Sequence, residues 1–411
     1  MEKILEQYGR VTVYMEGNHP SPMYHVDGGV EPNPYGNLAV LLEDDNLEEV
    51  MYNGGAQCVK VAHRDHGMCR TNVWVDDQSG LEIAKNIAAF TSVPLGDGPG
   101  MVPIFDGRLP DGSRVNGTIP PVSPDGPTLT IRKFREDPLT MIDLIKFGTV
   151  NIRLAAMMWV WIEGLDSRPA NFVIAGGTGS GKTTTLNCLG MYIPWHKRLL
   201  TVEDTAELQV YHDHWLRMET RRERPDGTPE VDMNDCLKSS LRMRPDRIIV
   251  GEVRSSEAAT LLTAMNTGHD GSFGSLHANT AMETITRMIN PPMNVPPIML
   301  TGLDLIIIQA RLYVNGKTAR KITEVAEVAG MEGDKPRLNA IWKYNAATET
   351  IEETGIPSKM RETICTAAGI TPAQFEQHVR QREQILADLL NRDIRDIETV
   401  TKVIQGFYAS R

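Results

Sequence analysis

The densest chemistry in the sequence lies in one short run, Gly176-Gly177-Thr178-Gly179-Ser180-Gly181-Lys182-Thr183-Thr184. Glycines so spaced let successive backbone N–H groups curl around phosphate oxygens, and a helix opening at Lys182 adds the positive partial charge of its N-terminus. The run fits G-x-x-x-x-G-K-[ST], in which the lysine reaches the β- and γ-phosphates and the Thr183 hydroxyl serves Mg²⁺. It predicts an ATP site. A second candidate is Arg247-Ile-Ile-Val-Gly251-Glu252, a four-residue apolar strand ending in a carboxylate. Most P-loop enzymes place a magnesium-binding Asp at the strand end, whereas here a glycine intervenes, so Glu252 suits orientation of the attacking water better than gripping the metal. Val202-Glu203-Asp204 closes another apolar run with two acids. Glu203 is a candidate Mg²⁺ ligand, directly or through water, and a solvated strand end is the other reading. His269 in Thr-Gly-His-Asp-Gly and His277 in Ser-Leu-His-Ala-Asn follow, and either alone reads as an ordinary satisfied histidine.

The elements that must hold these residues are legible around them. Asn171-Phe-Val-Ile-Ala175 predicts a strand before the glycine loop and the residues after it a helix, the order of a nucleotide-binding sheet. Apolar runs at LLTV, RIIV, SFGSL and LDLIIIQARL alternate with helical segments such as Ser255 to Thr267, which argues for a parallel α/β core. Upstream, short runs with turn signals and the helical LEIAKNIAAF give an α+β pattern. Pro20, Pro22, Pro32 and Pro34 make Asn18 to Tyr35 a loop or linker, and Ile104 to Pro127 reads as loop-rich. The expected organisation is an extension or linker at 1–36, an α+β domain at 37–137, a motor domain at 138–335 and a mainly helical region at 336–411.

Composition narrows the partners. A net charge of −11 with pI near 5.5 makes a poor bulk binder of nucleic acid, since such affinity comes from Lys and Arg on phosphates. The apolar run Leu154 to Ile162 is far short of the ~20 residues that cross a bilayer. The N-terminus is too polar for a signal peptide, so a cytoplasmic location is expected. Cys58, Cys69, Cys188, Cys236 and Cys365 never fall in Cys-x-x-Cys spacing and read as reduced thiols. His63 with His66, and His212 with His214, lack cysteine or acidic partners at a repeated spacing and read as structural.

The ordered set GGTGSGKTTTLN, TVEDTAEL, LRMRPDRIIVGEVR and AMNTGHDGSFGSLHANT resembles the Walker A, Asp box, Walker B and His box of the type II/IV secretion superfamily ATPases. These are motors of type IV pili, archaella and related secretion machines. The likeness is nearest to archaeal and tight-adherence pilus members, runs from about Asp106 to the LDLIIIQARL segment, and includes the glycine before the Walker B acid. It implies a RecA-like P-loop core with a smaller N-terminal α+β domain and a helical C-terminal tail. It further implies a homohexamer, peripheral on the cytoplasmic membrane, that hydrolyses ATP with Mg²⁺ and acts through a polytopic platform protein on pilin-like subunits. Position by position, Glu203 matches the Asp-box acid, Glu252 the catalytic base and His277 the residue that senses the γ-phosphate. Arg132 and Arg135 match basic residues of the first domain that close over the nucleotide, and Arg221 in METRR resembles an arginine finger, although each also reads as a solvated charge. The four-cysteine zinc site of many bacterial members is missing, because no cysteine lies between Cys236 and Cys365. The competing readings are a nucleic-acid translocase on the same core, a catalytically silent ATP-binding scaffold, and a retraction motor of the same family.

Overall fold

The structure is a computed structural model of all 411 residues, described here except at 1–2, 18, 30–32, 56, 92, 136, 224–226, 315–316, 334 and 411 and at the side chains of 317 and 335. The chain divides into two compact units, one formed by Met1–Glu136 with Arg224–Thr228, the other by Asp137–Glu223 with Pro229–Arg411.

The first unit contains β1 (Lys3–Tyr8), β2 (Val11–Met15), β3 (Met23–Val26), α1 (Ala39–Leu42), β4 (Leu47–Tyr52), β5 (Cys58–His63), β6 (Gly67–Trp74), α2 (Asp77–Phe90), β7 (Ile104–Arg108), β8 (Arg114–Thr118) and β9 (Thr128–Arg132). Its strands make one sheet in the order β1-β2-β3-β6-β5-β4-β9-β8-β7, antiparallel except where β3 runs alongside β6. The expected linker at 1–36 is therefore corrected, since β1, β2 and β3 belong to this sheet. Val11, Val13, Tyr24 and Val26 alternate inward and are buried, and Pro20 and Pro22 precede β3 without interrupting its ladder. Asn18 and Pro32 of that expected loop lie outside the described residues. The stretch from Ile104 to Pro127 likewise holds the hairpin β7–β8, which buries Phe105 and Val115 and turns at Pro110-Asp-Gly112.

The second unit contains α3 (Met141–Lys146), α4 (Ile152–Glu163), β10 (Phe172–Ala175), α5 (Lys182–Gly190), β11 (Leu199–Glu203), β12 (Trp215–Glu219), α6 (Met233–Ser240), β13 (Arg247–Val250), α7 (Glu257–Asn266), β14 (Phe273–Leu276) and α8 (Ala281–Ile289). It continues through β15 (Leu305–Val314), β16 (Lys317–Glu332), β17 (Lys335–Asn345), β18 (Thr350–Glu353), α9 (Lys359–Ala368), α10 (Pro372–Asn391) and α11 (Ile397–Ala409). The sheet order is β12-β11-β13-β14-β10-β15-β16-β17-β18, parallel up to β15 and antiparallel beyond it. Every residue of β10, β13 and β14 is buried, as expected for parallel strands covered on both faces. One face packs on α3, α4, α5 and the C-terminal helices, the other on α6, α7 and α8. The expected mainly helical region from 336 is corrected, because β17 and β18 extend the central sheet before helix resumes at Lys359. Among the described residues no helix is long and apolar enough to cross a membrane.

The C-terminal helices are bonded into this core. Arg382 of α10 is wholly buried, lies over the Trp159 and Phe407 rings, and places Nη2 at 2.5 Å from Glu163 Oε2, so its charge is paired where an unpaired one would be costly. Gln405 of α11 donates to the Met191 and Ile193 carbonyls and accepts from Trp195 N–H, while Tyr408 Oη donates to Tyr192 O at 2.7 Å. Those carbonyls form the turn that ends α5.

Candidate nucleotide site

The parallel strands end on a common edge, and β10 delivers the chain there into Gly176–Gly181 before α5 begins. Gly179 (φ 72°) and Gly181 (φ 93°) occupy the left-handed region that side chains resist. At Gly176 a Cβ would stand 2.1 Å from Gln309 O, so the loop has no room for a larger residue there. No side chain caps the start of α5, which leaves its first N–H groups for a ligand. Lys182 is buried and its Nζ donates to Gly176 O (2.9 Å) and Gly177 O (3.1 Å). Burial lowers its pKa, and the nearby charge of Glu252 partly restores it. Ser180 Oγ is buried without a partner, and the Thr183 side chain is half-buried one residue into the helix.

The sheet order explains which acids reach this loop. β14 lies between β10 and β13, so His277, just past β14, stands between the glycine loop and Glu252, just past β13. His277 Nε2 is 2.9 Å from Glu252 Oε1, although that oxygen takes no well-aligned hydrogen bond, and Arg254 Nη2 donates to Glu252 Oε2 at 2.7 Å. Partial burial opposes ionisation of Glu252, but Arg254 first, then His277 and Lys182, outweigh it and hold the carboxyl below the usual range. Burial, reinforced by Lys182, lowers the His277 pKa, so its ring is neutral at pH 7. His269 precedes β14 and lies at the opposite edge of the sheet.

Glu203 ends β11 beside β13. Its Oε1 accepts from Glu207 N–H (2.9 Å) and Leu208 N–H (3.0 Å), its Oε2 is buried without a partner, and burial pushes its pKa up to about 7. This accounts for the glycine before Glu252. Val202 pairs with Val250, so Gly251 lies across from Glu203, and a Cβ on Gly251 would stand 2.9 Å from Glu203 Cγ. Gly251→Ala should therefore displace the Glu203 side chain and cost about 1–3 kcal/mol. Denaturant unfolding checks this: in a Glu203→Ala background the same change should cost almost nothing, and an undiminished cost there would contradict the clash.

The arginines are not gathered in the same way. Arg221 lies past the end of edge strand β12, where its Nη2 donates to Pro229 O at 3.0 Å. β12 is four strand positions from β10, which at ~4.8 Å each is about 19 Å, so Arg221 does not reach the glycine loop of its own chain. Arg132 ends β9 of the first unit, in register with Glu49 and Arg114, and Arg135 is half-buried near Arg64.

Arg254 carries no motif signal of its own in the sequence, although it lies two residues past Glu252 in Gly251-Glu252-Val253-Arg254. It bridges Asp204 (2.9 Å) and Glu252, and so fixes the direction of the Glu252 carboxylate. In the first unit, the structure brings Glu6 of β1, far from them in sequence, against His63 and His66, with His66 Nε2 2.8 Å and His63 Nε2 4.0 Å from Glu6 Oε2. His63 Nδ1 accepts from the Asp65 and His66 N–H groups, which leaves the ring proton on Nε2 facing Tyr8 Oη at 3.1 Å. Its imidazole is thus committed to the fold. His212 Nε2 lies 3.3 Å from Pro194 O.

Comparison with known proteins places this site in context. The profile of the family described as type II/IV secretion system protein matches residues 99–404. The uncharacterized protein MJ0781 of Methanocaldococcus jannaschii is 33% identical, over 90% of this chain and 75% of its own. The conjugal transfer protein TrbB of Rhizobium radiobacter is 33% identical, over 71% of this chain and 87% of its own. Among solved structures, the ATPase DotB of Legionella pneumophila superposes with a TM-score of 0.50 at 17% identity, over 91% of this chain and 97% of its own.

Proposed function

The chain belongs to the type II/IV secretion system protein family, and from that premise we propose that it is a homohexameric, Mg²⁺-dependent ATPase driving assembly or secretion of type IV pilin-like filaments. It is an ATP hydrolase built on a RecA-like core with a smaller α+β unit before it. The observation that carries the reading is the convergence of Lys182, Glu252 and His277 at the ends of β10, β13 and β14.

The residues fit the groups required. The buried Ser180 hydroxyl without a partner, the uncapped start of α5 and the close-packed Gly176 make a cradle for a triphosphate, and the unpartnered Glu203 Oε2 is an acceptor suited to the ion or its water. Thr183 would hold Mg²⁺ with Glu203, directly or through water, and the ion would neutralise charge on the β- and γ-phosphates. Gly176 to Thr184 wrap the phosphates, with Lys182 as the fixed cation. Glu252, kept ionised by Arg254, orients the attacking water and takes its proton. Neutral His277 donates a hydrogen bond toward the γ-phosphate. Arg132 and Arg135 close over the nucleotide, and Arg221 completes the charge cage from a neighbouring subunit, consistent with its distance from its own loop. The ring sits on the cytoplasmic face of the membrane and works on a polytopic platform protein.

A trans finger has a measurable signature. Specific activity should rise with protein concentration as rings form. An equal mixture of Arg221→Ala and Glu252→Gln chains, each nearly inactive alone, should regain about a quarter of wild-type activity, because about a quarter of the sites join an intact Glu252 to a neighbour's intact Arg221. No regain of activity from mixed particles of ring mass would remove Arg221 from this role.

A second reading is favoured by TrbB, which is named for conjugal transfer: a secretion motor of a transfer system instead of a filament motor. Deleting the gene separates the two. Loss of surface filaments, restored by wild type but not by Lys182→Ala, supports the first reading; intact filaments with lost transfer support the second.

A further inference from the structure

The glycine loop has two flanks. β14 and β13 lie on one side of β10 with His277 and Glu252, while β15 and its hairpin partner β16 lie on the other. Along β15, Gln309, Arg311 and Tyr313 share one face, because alternate residues of a strand point the same way. That face is the one toward α5: Gln309 is buried, and its Oε1 accepts from Thr185 Oγ1 at 2.8 Å. Arg311 and Tyr313 continue the row outward.

Arg311 pairs in register with Arg320 of β16, two like charges directly opposite on adjacent strands. Such a pair destabilises a sheet. Neither guanidinium has a carboxylate partner among the described residues, and both side chains are exposed. Both stand at the loop. Arg320 Nε donates to Gly179 O at 3.0 Å, and a Cβ on Gly179 would lie 4.0 Å from Arg311 Nη1. An anion beside Gly179 would relieve the repulsion. Two residues farther along the same face, Tyr313 is 78% exposed, an aromatic ring with its surface open.

We propose that the β15–β16 hairpin is the subsite for the nucleoside end of ATP, with Arg311 and Arg320 on the phosphate next to the ribose and Tyr313 stacking on the purine base. This rests on the reading of Gly176–Thr183 as the ATP site. The phosphate chain lies across the glycine loop. Its γ-end belongs with Glu252 and His277, so the α-phosphate, ribose and base leave over the opposite flank, where the hairpin supplies two cations and then an aromatic face. Stacking on an aromatic side chain is tolerant of base identity, so this subsite holds a purine without reading it closely.

Equilibrium titration of the full chain with ADP and with inorganic tripolyphosphate tests the assignment, because only the first probe carries a nucleoside. Tyr313→Ala should weaken ADP by roughly 10-fold and leave tripolyphosphate unchanged. Arg311→Ala should weaken both by roughly 10-fold, and Arg311→Lys should regain part of the loss. Arg311 makes no hydrogen bond or ion pair among the described residues, so its removal takes away no internal contact of the fold. Unchanged ADP affinity in Arg311→Ala or Tyr313→Ala, alongside a Lys182→Ala chain that has lost it, would overturn the subsite and leave the ATP site standing. Full ADP affinity in Lys182→Ala would overturn both. Equal loss of ADP and tripolyphosphate in Tyr313→Ala would reject the stacking role.

Discussion

Replacing Lys182 by alanine is expected to abolish tight ATP binding and, with it, hydrolysis. Its ammonium is buried at the mouth of the glycine loop, where it spends its hydrogen bonds on the Gly176 and Gly177 carbonyls. Burial already strains its charge, with Glu252 as partial compensation. A triphosphate offers a far stronger partner, and each charge-assisted hydrogen bond contributes about 1.5–3 kcal/mol. Two such bonds correspond to roughly 10²- to 10⁴-fold in affinity, at about 1.4 kcal/mol per decade. Fluorescent nucleotide titration reads the loss directly, with an unfolding curve to show that the variant is folded. Wild-type affinity would mean that phosphate binds elsewhere.

Glu252→Gln should separate binding from turnover. The amide keeps the shape of the side chain beside His277 and Arg254 but cannot accept the proton of the attacking water. General-base contributions are typically 10²–10⁴-fold, so kcat should fall by about that factor while nucleotide affinity stays near wild type. The two measurements belong on one preparation, titration for affinity and single-turnover phosphate release for the chemical step. Near-normal turnover would shift the base role to Glu203, whose carboxyl is also buried at this edge.

The difference between what sequence makes legible and what it hides follows from the range of the interactions. β10, β13 and β14 announce themselves as unbroken apolar runs because both their faces are covered. The glycine loop is legible because all of its chemistry is local. β3 is masked by the prolines on either side of it, and β1 and β2 by their shortness, β1 burying no side chain and the alternation of β2 and β3 being only two buried residues deep. β17 is similarly masked, since KPRLNAIWKYN mixes charge into a strand that buries only Pro336, Ile341 and Trp342 among its described side chains. The odd glycine at 251 is visible as a departure from the general P-loop pattern. Its cause, the Glu203 side chain on the neighbouring strand, appears only once the two strands are in register. Arg311 and Arg320 are nine residues apart in sequence and unremarkable there; the hairpin sets them opposite each other and against a loop more than a hundred residues upstream.

Helix α5 is held at both ends, and that has a mechanical meaning. Its first residue is Lys182, and the turn that follows its last is tethered by Gln405 and Tyr408 of α11. Nine helical residues make a strut of about 13 Å that bends little over such a length. A displacement of Lys182 along the helix axis would therefore be passed to α11 with little slack. The three C-terminal helices pack on that same face, so any shift of Lys182 along the helix axis would be felt first at the last of them.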